Sequence, residues 1–339
     1  MKPLISIILV NWNGKKWLKE CLDSLMVQTY KNFEIILVDN NSSDGSVEFV
    51  HSDYPEVIVV QNRENLGFSG GNNIGYQKSR GEYVLLLNND TRVERNFLEE
   101  FVKAFYEIPN LGSVQSKLIL MYEPAKLDVC GSYWTDIGFL YHYGYAKDTL
   151  DPKYNRKMPF FSNKGASMML KREVIEKVGL FDHDFWCYYE ETDLCHRLWL
   201  AGYECWYYPT AVCYHAMGGT AVRFSNSFLQ FHNFKNKLAS FLKNFEWVTL
   251  AKFLPIYLVL NVLLSFVWLF QGKYKHFFSL YKAIFWNLIH LLDTMNKRKE
   301  VQKLRVRSDK SIFKKVKRNP TIRYYFGLLI GIEKYVDKF

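Results

Sequence analysis

Apolar and polar positions alternate in blocks along the first ninety residues. Leu4 to Val10 is a β-branched apolar run, and Phe33 to Val38, Val57 to Gln61 and Tyr83 to Leu87 repeat the pattern. Runs this short predict strands, and Tyr83 to Leu87, with no polar side chain, predicts one buried on both faces. Between them lie stretches of helical spacing. Trp17, Leu18, Cys21, Leu22 and Leu25 predict a helix from about 16 to 27, a short helix ends near Val50, and a third runs through Ser79. Alternating strands and helices predict an α/β fold with a largely parallel sheet.

Each predicted strand stops in polar residues: Asn11 and Asn13, Asp39 and Asn40, Asn65 onward, and Asn88-Asn89-Asp90. One such cluster reads as an Asx turn. Four at one sheet edge predict a crevice for a large polar ligand, because open sheets bind ligands at the carboxyl ends of their strands. The stretch Gly67 to Gly75 reads as a glycine- and amide-rich loop opening a helix. It is neither a Walker A nor a G-x-G-x-x-G sequence, and a phosphate at the helix N-terminus is the functional reading.

Further on, Phe97 to Tyr106 predicts a helix and Leu111 to Tyr122 a strand. Residues 123 to 159 form a loop-rich aromatic stretch, suited to sugar stacking but more often plain packing. Gly165 to Leu170 leads into a buried strand, and Lys171 to Val178 is a short helix stopped at Gly179. Glu190, Glu191 and Asp193 then open a helix. Acidic residues there suit the helix dipole, or supply a general base pointing into the crevice. Asp193 and Arg197 have the spacing of a helical ion pair. Tyr203 to Tyr208 and Ala211 to Tyr214 predict strand, with His215 directly after.

Composition narrows the class. The chain has 339 residues, 17% of them aromatic, which excludes a disordered protein. No signal peptide is legible at its start, so the catalytic part is expected in the cytosol. The six cysteines contain no C-x-x-C pair, and reduced, buried thiols are favoured over zinc. The net charge of +10 is concentrated between residues 297 and 318, with eleven basic and two acidic side chains. Before that segment, Phe253 to Phe270 is 18 residues without a charge, about 27 Å as a helix, and a second apolar run covers Phe277 to Leu292. The placement of basic residues disfavours a spanning hairpin and favours helices lying in or on the inner leaflet, the basic run meeting anionic lipid. A soluble helical subdomain or a homodimer interface is the alternative. No recognition module for nucleic acid accompanies the basic run.

Six stretches in order, Ile5 to Asn13, Val38 to Ser46, Asn65 to Asn73, Leu87 to Asp90, Gly165 to Leu170 and Tyr189 to Leu194, resemble the inverting glycosyltransferases of family 2, in particular a rhamnosyltransferase-like branch. The resemblance spans about residues 4 to 235. It implies a GT-A nucleotide-diphospho-sugar transferase fold, a Rossmann-like mixed sheet flanked by helices. The catalytic domain would be residues 1–235 and the membrane-associating helical region 236–339. It also implies roles. Val10, Asn11 and Trp12 line the nucleobase and ribose pocket, Asp39 and Asn40 read base and ribose, and Asn72 sits near the donor. Asn89-Asp90 is the metal motif for Mg²⁺ or Mn²⁺, His215 is a later metal or diphosphate ligand, and Glu191 is the base, with Glu190 in reserve. Asn40 stands where many relatives have aspartate, which is compatible with dTDP-sugar donors. The implied donor is a nucleotide-diphosphate sugar, dTDP-rhamnose or a UDP-sugar. The implied acceptor is a glycan or polyprenyl-linked acceptor at the cytoplasmic face of the membrane. The Gln-x-x-Arg-Trp motif of processive synthases is absent, so one sugar per acceptor is expected. The competing readings are a sugar nucleotidyltransferase and a non-catalytic sugar-nucleotide-binding scaffold.

Overall fold

The computed structural model describes residues 2–217, 224–321 and 324. The predicted strands form as β1 (Ile5–Asn11), β2 (Phe33–Asp39), β3 (Ile58–Gln61) and β4 (Tyr83–Asn88). Between them run α1 (Lys15–Met26), α2 (Ser46–Asp53) and α3 (Gly67–Lys78). These four strands pair in parallel in the order β3-β2-β1-β4. Beyond Asp90 come β5 (Thr91–Val93), α4 (Phe97–Glu107) and β6 (Leu111–Leu120). An aromatic hairpin of β7 (Gly131–Trp134) and β8 (Leu140–Tyr143) and a short β9 (Met158–Pro159) follow. Then come β10 (Ser167–Lys171), α5 (Arg172–Val178), α6 (Glu190–Leu200) and β11 (Glu204–His215).

The sheet is mixed. From β4 it continues β10-β6-β11-β5, with β10 antiparallel to both neighbours and β6 and β11 parallel. This order brings the carboxyl ends of β1, β2, β4 and β11 to one edge. Because β10 runs the other way, it is its amino end that reaches that edge, with Ser167 opposite Leu87. Residues 83–87, without a polar side chain, are buried throughout, with helices and chain on both faces.

Two expectations change. Gly67 to Gly75 is no loop: it forms the first turns of α3. A Cβ on Gly71 would lie 2.7 Å from Val10 Cγ1, and one on Gly75 would lie 2.4 Å from Ile8 Cγ2. These glycines therefore let α3 pack directly on β1. The amide N–H groups of Phe68 and Ser69, at the start of α3, donate to the Trp186 carbonyl, at 2.8 and 3.3 Å. That helix end is closed by protein and is not a phosphate cradle. Second, the strand before His215 is one continuous β11, bridged by an irregularity between Tyr208 and Val212. The aromatic stretch packs: Tyr133, Trp134 and Phe160 are core residues.

The C-terminal chain is helical: α7 (Asn226–Asn244), α8 (Trp247–Phe270), α9 (Tyr274–Ile289), α10 (Leu291–Lys303) and α11 (Asp309–Val316). The expected division at residue 235 falls inside α7, which packs on α6 and carries Asn244 to the buried Asp193. The basic segment is largely engaged with the rest of the chain. Lys297 pairs with Asp182 and Asp184, Lys315 with Glu204, and Lys317 with Asp136. Arg298 donates to the Leu242 and Phe245 carbonyls. Part of the charge expected to face lipid therefore ties α10 and α11 to the sheet domain. α8 is long and apolar enough to cross a membrane, and only 22% of its most apolar window is buried. Ile256, Val259, Leu263 and Phe270 on α8, with Phe278, Phe285, Leu288 and Ile289 on α9, are exposed.

Candidate active site

On the β1–β4 side the edge is a closed polar network. The Asp39 carboxylate accepts from Asn11 Nδ2 at 2.9 Å and from the Ser42 amide at 2.8 Å. Asn89 Nδ2 donates to Asn11 Oδ1 at 2.7 Å, and Gly14 packs against this pair with no room for a Cβ. Asn40 donates to the Gly67 carbonyl at 3.0 Å and accepts from Asn62 at 2.8 Å. Asn72 is buried and donates to the Phe68 carbonyl at 2.9 Å. Asn40 thus ties α3 to the end of β2, while the Asn72 bond lies within α3. Trp12 stacks on Phe224, ring centroids 5.0 Å apart. The Asn13 and Asn41 backbones take left-handed conformations (φ 52° and 62°), which asparagine tolerates best among side-chain-bearing residues.

Asp90 follows β4 and is almost wholly buried. The end of β11 places His215 Nε2 3.4 Å from Asp90 Oδ1. The other ring nitrogen, Nδ1, lies 2.7 Å from Asp128 Oδ2. An ionised carboxylate only accepts, so Nδ1 carries the proton and Nε2 is directed toward Asp90. Burial lowers the affinity of His215 for a second proton, but Asp128 and Asp90 outweigh it and raise its pKa to about 9. Asp128 is itself fully buried. Lys164 and His215 overcome that burial and hold its carboxyl well below the usual range. Lys164 Nζ grips both Asp128 oxygens, at 2.7 and 2.8 Å. Asp128 and Lys164 carried no sequence signal, lying in an aromatic stretch and beside a plain strand.

The acidic helix opens after two residues in left-handed backbone, Tyr188 and Tyr189 (φ 65° and 71°), an uncommon conformation for aromatic side chains. Glu190 Oε2 and Glu191 Oε2 are buried and have no hydrogen-bond partner in the protein. Burial raises both carboxyls above the ordinary range. The Glu191 carboxylate reinforces the effect for Glu190, while the backbone amide of Glu191, then Lys164, the Thr192 amide and Lys237, oppose it for Glu191. Glu191 is the less enclosed of the two and packs beside Gly165. Asp193 is different. Against its burial, Lys243 and Arg197 keep it ionised, with Arg197 Nε at 3.0 Å, and Asn244 adds a hydrogen bond at 2.9 Å. It is a structural anchor.

Asp90 and His215 form a donor set of one carboxylate oxygen and one imidazole nitrogen, suited to a divalent ion that tolerates nitrogen, with diphosphate oxygens completing its shell. The Nδ1–H bond to Asp128 is the outer support that metal-binding histidines usually have. Asp182, His183 and Asp184 also bring ligand atoms within 4.8 Å of one another. Their carboxylates, however, are already engaged by Lys243 and Lys297.

Residues 6–179 match the family described as Glycosyl transferase family 2. The chain belongs to that family. It is 26% identical over 241 residues to the low-salt glycan biosynthesis hexosyltransferase Agl10 of Haloferax volcanii, covering 69% of this chain and 74% of that one. To an uncharacterized glycosyltransferase of Rickettsia typhi it is 30% identical over 188 residues, covering 53% and 54%. The match to GlyA of Streptococcus pneumoniae covers 30% of this chain and 15% of that one, at 34% identity. The chain therefore spans about half or less of these last two relatives. Among solved structures, GalNAc-T7 with UDP, GalNAc and Mn²⁺ aligns with a TM-score of 0.58 at 16% identity, covering 71% and 48%. The mannosyltransferase PcManGT of Pyrobaculum calidifontis with GDP-Man and Mn²⁺ aligns at 0.52 and 16%, covering 100% and 89%. The shared architecture is the GT-A fold.

Proposed function

We propose that the chain is an inverting, metal-dependent hexosyltransferase. It takes a sugar from a nucleotide-diphosphate sugar, dTDP-rhamnose or a UDP-sugar, and adds it to a hydroxyl of a membrane-linked glycan or lipid in cell-surface polysaccharide synthesis. The observation that carries this reading is the pair of carboxylates at the start of α6, each with a buried oxygen that has no partner, in reach of the charge network that leads through Lys164 and Asp128 to His215 and Asp90. The binding of nucleotides and Mn²⁺ by GalNAc-T7 and PcManGT, on the same fold, supports it.

In this mechanism Val10, Asn11, Trp12 and Asp39 hold the nucleoside, Asn40 keeps α3 against it, and Asn72 sits near the donor. Asp90 and His215 would hold a divalent ion, Mn²⁺ or Mg²⁺. When bound, that ion supplies positive charge to the leaving diphosphate. Glu191 accepts the proton of the acceptor hydroxyl as its oxygen attacks the anomeric carbon. The carbon–oxygen bond to the diphosphate breaks on the opposite face, so configuration inverts. A carboxyl raised by burial is a stronger base once ionised. Burial raises both carboxyls, so a proton shared between Glu190 and Glu191 limits the charge at the helix start. The exposed apolar faces of α8 and α9 would seat the enzyme on the cytoplasmic face of the membrane.

The test is a panel of dTDP-, UDP- and GDP-sugars with Mg²⁺ or Mn²⁺ and membrane lipid extract as acceptor, read as released nucleoside diphosphate. Release from one donor, abolished by chelator, is expected. Absence of any nucleotide binding would overturn the proposal.

A further inference from the structure

The chain between α5 and α6 turns into the acidic helix without the usual means. Tyr188 and Tyr189 both take left-handed backbone. Tyr189 stands at the N-cap of α6 and, among the described residues, makes no side-chain cap. An N-cap is ordinarily a small polar residue in extended backbone. Two consecutive aromatic residues in left-handed backbone persist only where the surroundings hold them. Three consecutive carbonyls of this turn are held from outside it. That of Trp186 accepts from the Phe68 and Ser69 amides of α3. Those of Cys187 and Tyr188 both accept from Asn236 Nδ2 on α7, at 2.9 and 2.7 Å.

Asn236 is wholly buried. Its amide nitrogen carries two N–H groups and so serves both carbonyls from one point; an aspartate there would have no donor and a serine only one. The next two turns of α7 continue the grip. Phe241 meets the Tyr189 ring edge-on, centroids 5.9 Å apart, and Asn244 reaches Asp193. On the other side of the turn, Lys235 Nζ donates to the Asp184 carbonyl at 2.6 Å, and Lys297 of α10 joins the Asp182 and Asp184 carboxylates. Both α7 and α10 lie beyond residues 6–179, which carry the family match.

We infer that Asn236 is a positioning residue for the transfer step. It fixes the left-handed pair from which Glu190 and Glu191 depart, and Lys297 supports the same turn from α10. This rests on the transferase reading above, with Glu191 as the base. A general base works only when held within about 0.5 Å of its place, and a rigid turn locked by a neighbouring helix supplies that. The C-terminal helices thereby belong to the catalytic frame and not to the membrane seat alone.

The test is Asn236→Ala in the full chain, read as nucleoside diphosphate release from the donor that the sugar panel identifies. The expected result is a kcat about 100-fold lower, the cost of a misplacement of about 1 Å, with donor KM and nucleoside diphosphate affinity within about twofold of wild type. In a Glu191→Gln background the same change should cost no more than about twofold, because a residue that acts through Glu191 then has nothing left to position. Cys187 reports on the turn itself: of the six cysteines it alone is partly exposed, the other five being buried. Its labelling by N-ethylmaleimide should quicken about 10-fold once the two bonds are gone. Equal losses in both backgrounds make Asn236 merely structural and overturn the proposal, as do an unchanged kcat or unchanged labelling. If Asn236→Ala does not fold, Lys297→Met decides, since Lys243 still holds Asp182. A kcat about 10-fold lower, restored in Lys297→Arg, is expected, and full activity overturns the proposal. If wild type releases no nucleoside diphosphate, or Glu191→Gln transfers as well as wild type, the transferase reading falls. If only the Asn236 and Lys297 arms fail, the positioning alone falls.

Discussion

The two sides of the crevice are built on opposite principles. At the ends of β1, β2 and β4, Asn11, Asp39 and Asn89 satisfy one another at 2.7 to 2.9 Å, and Asn40 bonds the Gly67 carbonyl at 3.0 Å. At the start of α6, two buried carboxylate oxygens have no partner, and two tyrosines sit in strained backbone. The first arrangement is rigid before any ligand arrives. The second stores unsatisfied polar groups, which a reaction partner can satisfy. A fold can hold both because Asp193, on the same helix as Glu190 and Glu191, is fully paired and anchors it.

The sharpest way to break this contrast is Glu191→Gln. Transfer should fall about 10³-fold, the usual worth of a positioned general base, while nucleotide affinity, measured by calorimetry, stays within about twofold of wild type because the β1–β4 network is untouched. A parallel loss of nucleotide affinity would mean that the two sides are not independent. Asp128→Asn tests the link between them. It removes the charge that fixes His215 and releases Lys164, so metal-dependent nucleoside diphosphate affinity should drop about 10-fold, as for outer-layer supports of metal ligands. Metal-free nucleotide binding and the circular dichroism spectrum should be little altered.

Gly75→Ala probes the rigid side. In an open helix this change stabilises by up to ~1 kcal/mol. Here the new Cβ meets Ile8 Cγ2 at 2.4 Å, so the sign should reverse to a loss of about 1–3 kcal/mol in denaturant unfolding, the typical cost of overpacking. Glu190→Gln probes the other side and has the smallest effect. The folded protein raises this carboxyl above 4.5, by burial first and Glu191 second. The group therefore contributes its full stability below about pH 4.5 and loses it as pH rises through the folded value. Removing the charge should leave the melting temperature unchanged in acid and raise it near neutral pH, by the equivalent of about 1 kcal/mol. The activity of wild type should rise with pH as Glu191 ionises.

Much of the architecture was legible in the chain. The strands around Ile8, Ile36 and Leu85 follow from short, largely apolar runs, and the strand-end placement of Asn11, Asp39 and Asp90 follows from the same pattern. Glycines misled: those of 67–75 read as a loop because composition cannot show that a helix is pressed onto Val10 and Ile8. The basic run of 297–318 misled in a similar way, since a count of charges does not reveal that Asp182, Asp184, Glu204 and Asp136 await them.

By itself the sequence determined the sheet's first half, the polar edge and the family's motifs, because all of these depend on residues adjacent in the chain. Only the tertiary structure decided that Asp128 orients His215, that Lys164 grips Asp128, and that Asn244 of α7 anchors Asp193. Those relations join residues 36 to 87 positions apart. They exist only because β10 enters the sheet antiparallel between β4 and β6, and α7 closes over α6.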